Sequence, residues 1–172
     1  MEDKTYSYDY LKNFTESFFK KINCSQEHAE IITDVLLKAE LRGLGSHGML
    51  RLRDYYDLWK AERINTSPSI LIEDKTPSTG VVDGDNGIGM ISARRSMEMA
   101  IEKAKNVGTG WVATRNSNHF GMGAYYVMMA LENDMIGFAT THANPLVAPT
   151  FSISKMLGTN PISAAVPTNN QP

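Results

Sequence analysis

The stretch Leu-Arg-Gly-Leu-Gly-Ser-His-Gly-Met-Leu-Arg at residues 41–51 sets a hydroxyl, an imidazole and a guanidinium close together, as Ser46, His47 and Arg51. An imidazole titrates near neutrality and can carry a proton in either direction. A guanidinium grips a carboxylate through two parallel N–H donors. The set suits proton transfer on a small carboxylic acid. Gly43, Gly45 and Gly48 loosen the backbone between what read as two helices.

A second imidazole, His119, stands in Arg115-Asn116-Ser117-Asn118-His119-Phe120-Gly121-Met122-Gly123. This segment reads as a loop from the C-terminal end of a strand into a helix, where open α/β sheets form ligand crevices. Gly121 and Gly123 open that helix, and its free N–H groups suit a phosphate. The loop is not a Rossmann fingerprint, because Tyr126 stands where the third glycine belongs. The other glycine cluster, Gly84-Asp85-Asn86-Gly87-Ile88-Gly89, has the wrong order, and Asp83 and Asp85 would repel phosphate. It reads as a tight turn before a helix. Gly158-Thr159-Asn160-Pro161 reads as a turn into a strand, His142 ends another strand, and His28 is a surface residue without a role.

These side chains need elements to hold them. Leu11, Phe14, Phe18 and Ile22 recur at helical spacing over residues 8–22, with Ser7 placed as a cap. A second helix is predicted from just after Ser25 to Arg42, burying Ile32, Val35, Leu36 and Ala39, and a third over residues 49–61. The composition changes at Ile64-Asn65-Thr66-Ser67-Pro68, which divides a helical unit, residues 1–67, from an α/β unit, residues 68–172. The second unit opens with an apolar run at 69–72, a turn at Asp74-Lys75-Thr76-Pro77, a strand at 79–82 and a further turn at 83–87. A helix over 90–106, a strand over 110–114, a helix over 124–132 and strands over 136–141 and 162–166 follow. That order indicates a layered α/β sheet with flanking helices, preceded by a helical N-terminal unit.

Lys and Arg number 17 against 19 Asp and Glu, a balance that argues against a surface for nucleic acid or anionic membrane. Cys24 is the only cysteine, which excludes an internal disulfide and argues against a Cys-based zinc site; no metal is called for. The polar N-terminus and the lack of a membrane-length apolar run make the cytoplasm the default location. The chain stops soon after an apparent strand, as a natural domain can and as a chain cut in the middle of a fold would.

Taken in order, Leu-Arg-Gly-x-x-Ser-His-Gly-x-x-Arg, Val-Asp-Gly-Asp-Asn-Gly-x-Gly, Asn-Ser-Asn-His-Phe-Gly, Met-Ile-Gly, Asn-Pro-Leu-Val-Ala-Pro and Leu-Gly-Thr-Asn-Pro-Ile resemble the type-2 malate/L-lactate dehydrogenase family. That family also contains ureidoglycolate and sulfolactate dehydrogenases and reductases of cyclic imino acids. The resemblance implies an oxidoreductase that moves a hydride between NAD or NADP and a small 2-hydroxy or 2-oxo acid of malate or lactate type. It implies an α/β but non-Rossmann cofactor domain, a homodimer, and truncation at the C-terminus, which leaves open whether 172 residues suffice for activity. Carried over by motif, Ser46 and His47 match the relay hydroxyl and the proton donor, Arg51 the carboxylate ligand and His119 a proton acceptor. Phe120, Gly121, Met122 and Gly123 are similar to a cofactor-contacting turn, and Thr159 matches a substrate-contacting threonine. One departure is Phe151-Ser152-Ile153-Ser154-Lys155, where the family carries a glycine pair.

One of His47 and His119 is then the proton-transfer group and the other orients the substrate oxygen; His47 is favoured because Ser46 and Arg51 lie beside it. Two alternatives compete, a non-catalytic dimerisation module and an NADPH-dependent reductase of cyclic imino acids.

Overall fold

The computed structural model describes residues 5–168, so the polar end at 169–172 lies outside the described residues. The chain divides into two compact units, Met1–Met122 and Gly123–Pro172. The composition change near residue 67 falls within the first of them.

In the first unit, α1 (Tyr8–Lys21) and α2 (Gln26–Leu41) begin where their caps predict. Ser7 Oγ accepts the Tyr10 N–H at 3.3 Å and Ser25 Oγ accepts the His28 N–H at 3.1 Å. The two helices pack on each other and bury Phe19, Ile22, Ile32, Val35, Leu36 and Ala39. Removing side chains of this size from water contributes roughly 1.5–3 kcal/mol each, enough to hold two helices that would be marginal alone. The α1 core face differs from the expected one: Phe14 is exposed and Phe19 is buried in its place, beside Thr15. Thr15 can sit there because its hydroxyl donates to the Leu11 carbonyl at 2.7 Å, so no polar group is stranded.

The third helix starts later than its periodicity suggests. Two 3-10 turns, Gly45–His47 and Met49–Arg51, precede α3 (Leu52–Lys60). Between them Gly48, at φ −104° and ψ −137°, interrupts the helical path. Tyr55 of α3 is buried against Phe19, with ring centroids 5.9 Å apart.

The sheet of this unit is mixed. Strand β1 (Leu71–Thr76) pairs antiparallel with β2 (Thr79–Gly87), and β2 pairs parallel with β3 (Trp111–Ser117) across the helix α4 (Gly89–Val107). Asp74 and Lys75, expected in a turn, belong to β1; the turn is at Pro77-Ser78, where Thr76 Oγ1 accepts the Thr79 N–H at 3.0 Å. Residues 83–87, also expected as a turn, continue β2 through an irregular register with Asp85 and Asn86 at positive φ. Helix α4 packs on β2 and β3 and is tied to β3 by Ser96–Thr114 and Ser92–Ser117 hydroxyl pairs at 2.7 and 2.9 Å.

In the second unit, α5 (Gly123–Leu131) packs on the antiparallel pair β4 (Gly137–Thr140) and β5 (Ile162–Ala165). At the departure from the family pattern, Phe151 is fully exposed and takes φ +66°, a conformation a glycine would adopt without strain.

Candidate active site

The 3-10 turn pair between α2 and α3 carries Ser46, His47 and Arg51. Ser46 Oγ lies 2.9 Å from His47 Nδ1. A hydroxyl both donates and accepts, so Ser46 can hold either tautomer of the ring. When Nδ1–H donates to Oγ, Nε2 is bare and can accept a proton; when Nδ1 accepts, Nε2 carries one. Burial first, and then the Arg51 charge, lower the His47 pKa below its ordinary value, so the ring is neutral at pH 7. The Arg51 guanidinium donates through Nε to the Ser46 carbonyl at 2.6 Å and through Nη1 to Asp54 at 2.8 Å. Those bonds fix its plane and leave Nη2 for an incoming group.

His119 comes from a loop built on β3. Asn118 Nδ2 donates to the Asn86 carbonyl and side-chain oxygens and to the Gly87 carbonyl, at 2.9–3.0 Å. A Cβ on Gly89 would collide with the Asn118 carbonyl. The 83–89 glycine cluster is thus the seat of the His119 loop, which is why it lacks a phosphate-binding order. His119 Nδ1 lies 2.7 Å from the Tyr55 hydroxyl, and its ring stands 5.8 Å from that of His47, tilted by 30°. An edge of His119 is open to solvent, while protein packed around the ring, with Arg51 and His47 adding to it, pushes the pKa down to about 4. Burial drives the Tyr55 hydroxyl well above its ordinary pKa, so it stays protonated.

The fold therefore unites Ser46, His47, Arg51 and His119 in one unit, and adds Tyr55, which sequence reasoning passed over within the third helix. A signal existed: Tyr55 is four residues beyond Arg51, on the same helical face. Phe120, Gly121 and Met122 follow in the same unit. The Met122 side chain is buried, so a contact made there falls to its backbone. Gly123 and Thr159 belong to the second unit. Gly123 begins α5, whose first turn carries no acidic residue. Thr159 is exposed in a loop whose neighbour Asn160 accepts the Ala143 N–H at 3.0 Å. Among the described residues no group of His, Cys, Asp and Glu could hold a metal ion, and no helix is long and apolar enough to cross a membrane.

The family profile described as malate/L-lactate dehydrogenase matches residues 6–172. The chain belongs to the malate/L-lactate dehydrogenase family. Malate dehydrogenase of Pyrococcus horikoshii is 44% identical over 164 residues, covering 95% of this chain and 46% of that protein. L-sulfolactate dehydrogenase of Methanocaldococcus jannaschii is 47% identical over 146 residues, covering 85% of this chain and 42% of that protein. In structure, malate dehydrogenase of Entamoeba histolytica superposes with a TM-score of 0.93 at 39% identity, over 97% of this chain and 46% of the other. The chain spans about half the length of the curated relatives it matches. The mixed α/β architecture is that of the malate/L-lactate dehydrogenase fold.

Proposed function

We propose that this protein is an NAD(P)-dependent oxidoreductase that moves a hydride between the nicotinamide and a small 2-hydroxy or 2-oxo acid of malate type. The observation that carries the reading is the meeting of two imidazoles, His47 and His119, each with Nδ1 held by a hydroxyl, beside the fixed guanidinium of Arg51. The relatives named as malate and sulfolactate dehydrogenases support the substrate class.

Fit to the cofactor rests on α5. The N–H groups of its first turn lack helical acceptors, Gly123 offers no Cβ, and no carboxylate stands there to repel a pyrophosphate. Gly123 and the first turn of α5 would hold that group, and Phe120, Gly121 and Met122 keep the cofactor-contacting role that their motif implies. When bound, the nicotinamide supplies the hydride acceptor or donor.

Arg51 takes the substrate carboxylate through Nη2, sharing its charge with Asp54. In oxidation, neutral His47 accepts the hydroxyl proton at Nε2 while Nδ1–H donates to Ser46. His119, neutral with its pKa near 4, holds Nδ1 against Tyr55 and presents Nε2–H to the substrate oxygen as a hydrogen-bond donor. Thr159 is assigned to the substrate. The stacked and exposed Tyr6, just before α1, and Tyr10 and Phe14 on it support a homodimer. The free, buried Cys24 is in keeping with a reducing cytoplasm.

The test follows reduced nicotinamide absorbance with oxaloacetate, sulfopyruvate, pyruvate and a cyclic imine, using NADH and NADPH in turn. Turnover with a 2-oxo acid is the expected result. Consumption with the imine alone, or binding of neither cofactor, contradicts the reading.

A further inference from the structure

The last turn of α2 contains an anomaly. Carbonyl groups at a helix C-terminus favour cations nearby, yet the penultimate residue of α2 is Glu40. Its carboxylate turns away from the helix end to the 3-10 turns. Oε1 accepts the Met49 N–H at 2.6 Å, and Met49 opens the turn that ends in Arg51. That N–H lies at the start of its turn, where no acceptor exists within the turn itself.

Gly48 shows the same contact from the other side. Gly48 is buried, and a Cβ built on it would collide with the Glu40 carboxylate. The glycine and the acid thus occupy one space: Glu40 fills it, and Gly48 lets it do so. A brace follows along the segment. Glu40 holds Met49, the Arg51 N–H donates to the Gly48 carbonyl at 3.0 Å, and Arg51 Nε donates back to the Ser46 carbonyl at 2.6 Å. Ser46 in turn holds the His47 ring at 2.9 Å. Each bond hands its geometry to the next, and the chain ends on the imidazole.

We infer that Glu40 is a positioning residue: its carboxylate, received by Gly48, clamps the Met49 N–H and so fixes the segment that presents Ser46, His47 and Arg51 to substrate. The inference rests on the dehydrogenase reading for the reaction it serves, and on geometry alone for the clamp.

The test uses Glu40→Gln, Glu40→Ala and Gly48→Ala in the full protein. Readouts are the thermal midpoint, the kcat and KM for oxaloacetate with reduced nicotinamide, and the titration of His47 followed by NMR. A misplacement of about 1 Å near reacting atoms costs on the order of 100-fold in rate. Glu40→Ala is expected to lower kcat by that order, with KM raised through Arg51, and to shift the His47 titration. Gly48→Ala, which displaces the carboxylate without removing it, reproduces both effects. Glu40→Gln recovers most of the rate, because an amide oxygen can accept the same N–H. If Glu40→Ala does not fold, the other two variants decide the matter. An unchanged kcat and His47 titration in Gly48→Ala, or a Glu40→Gln protein as impaired as Glu40→Ala, would overturn the clamp. A parent protein that transfers no hydride sinks the dehydrogenase reading instead, and the His47 titration still decides the clamp.

Discussion

Tyr55 and His119 are 64 positions apart in sequence and share a hydrogen bond of 2.7 Å. The bond joins α3, in the helical part of the first unit, to the loop that follows β3, and it converts two separate motifs into one site. Removing the hydroxyl leaves His119 Nδ1 without its partner, and a lost hydrogen bond of this kind costs about 1 kcal/mol of stability. Tyr55→Phe is therefore expected to fold with a slightly lower thermal midpoint, to lose roughly tenfold in kcat because one imidazole is no longer oriented, and to keep its KM. Steady-state kinetics beside a melting curve check this. A variant with parental kcat would show that the bond serves packing alone.

Arg51 and Asp54 predict opposite effects on substrate affinity. Arg51→Lys replaces a planar fork by a point charge and is expected to raise KM tenfold or more. Asp54→Asn removes the negative charge that shares Arg51, while its amide oxygen can still accept from Nη1, which Asp54 holds at 2.8 Å. Since an exposed ion pair is worth about 0–1 kcal/mol, KM for a 2-oxo acid falls by up to about fivefold. An increase in KM in Asp54→Asn would mean that the Asp54 charge is needed to hold Arg51 in place and does not compete with the substrate for it.

The His119 ring gives the protein a sign-definite pH dependence. Its folded pKa is depressed from 6.5 to about 4, so the unfolded chain takes up the proton first as pH falls. The contribution to stability is complete above pH 6.5 and is lost between 6.5 and about 4, with the lowered His47 acting in the same sense. Thermal midpoints measured across that window should fall less steeply in His119→Gln than in the parent. Identical slopes would place the His119 pKa near its ordinary value.

Gly89→Ala probes the seat of the loop. The added methyl meets the Asn118 carbonyl, backbone that cannot swing aside, so a loss of about 1–3 kcal/mol is expected together with reduced turnover through His119. Chemical denaturation and kinetics measured together would show it; a stable variant with displaced activity alone would mean the loop moves freely on α4.

Much of this was legible in the sequence because the signals were local. Ser7 and Ser25 cap the helices they precede, and helix, strand and junction alternate as their periodicities indicate. Ser46, His47 and Arg51 could be found because they share one short segment. Phe19 took the core place expected of Phe14 because the adjacent aromatics Phe18 and Phe19 differ only in facing, and Thr15 hid a core position behind a hydroxyl that bonds to its own helix. Residues 83–87 read as a turn because Asp85 and Asn86 take positive φ, although the pairing to β3 continues past them. Tyr55 and Glu40 were hidden for a different reason. Their roles depend on partners, His119 and Met49, that only the folded chain brings within reach.

The most direct test of the central claim is single-turnover reduction of oxaloacetate by His47→Ala and His119→Ala, with reduced nicotinamide prebound and hydride transfer followed by absorbance. If His47 carries the proton, its loss lowers the rate by a factor of about 100–10,000 and abolishes the pH dependence, whereas loss of the His119 donor lowers the rate less and leaves that dependence in place. A His47→Ala protein that transfers hydride at the parental rate with the parental pH profile would contradict the account.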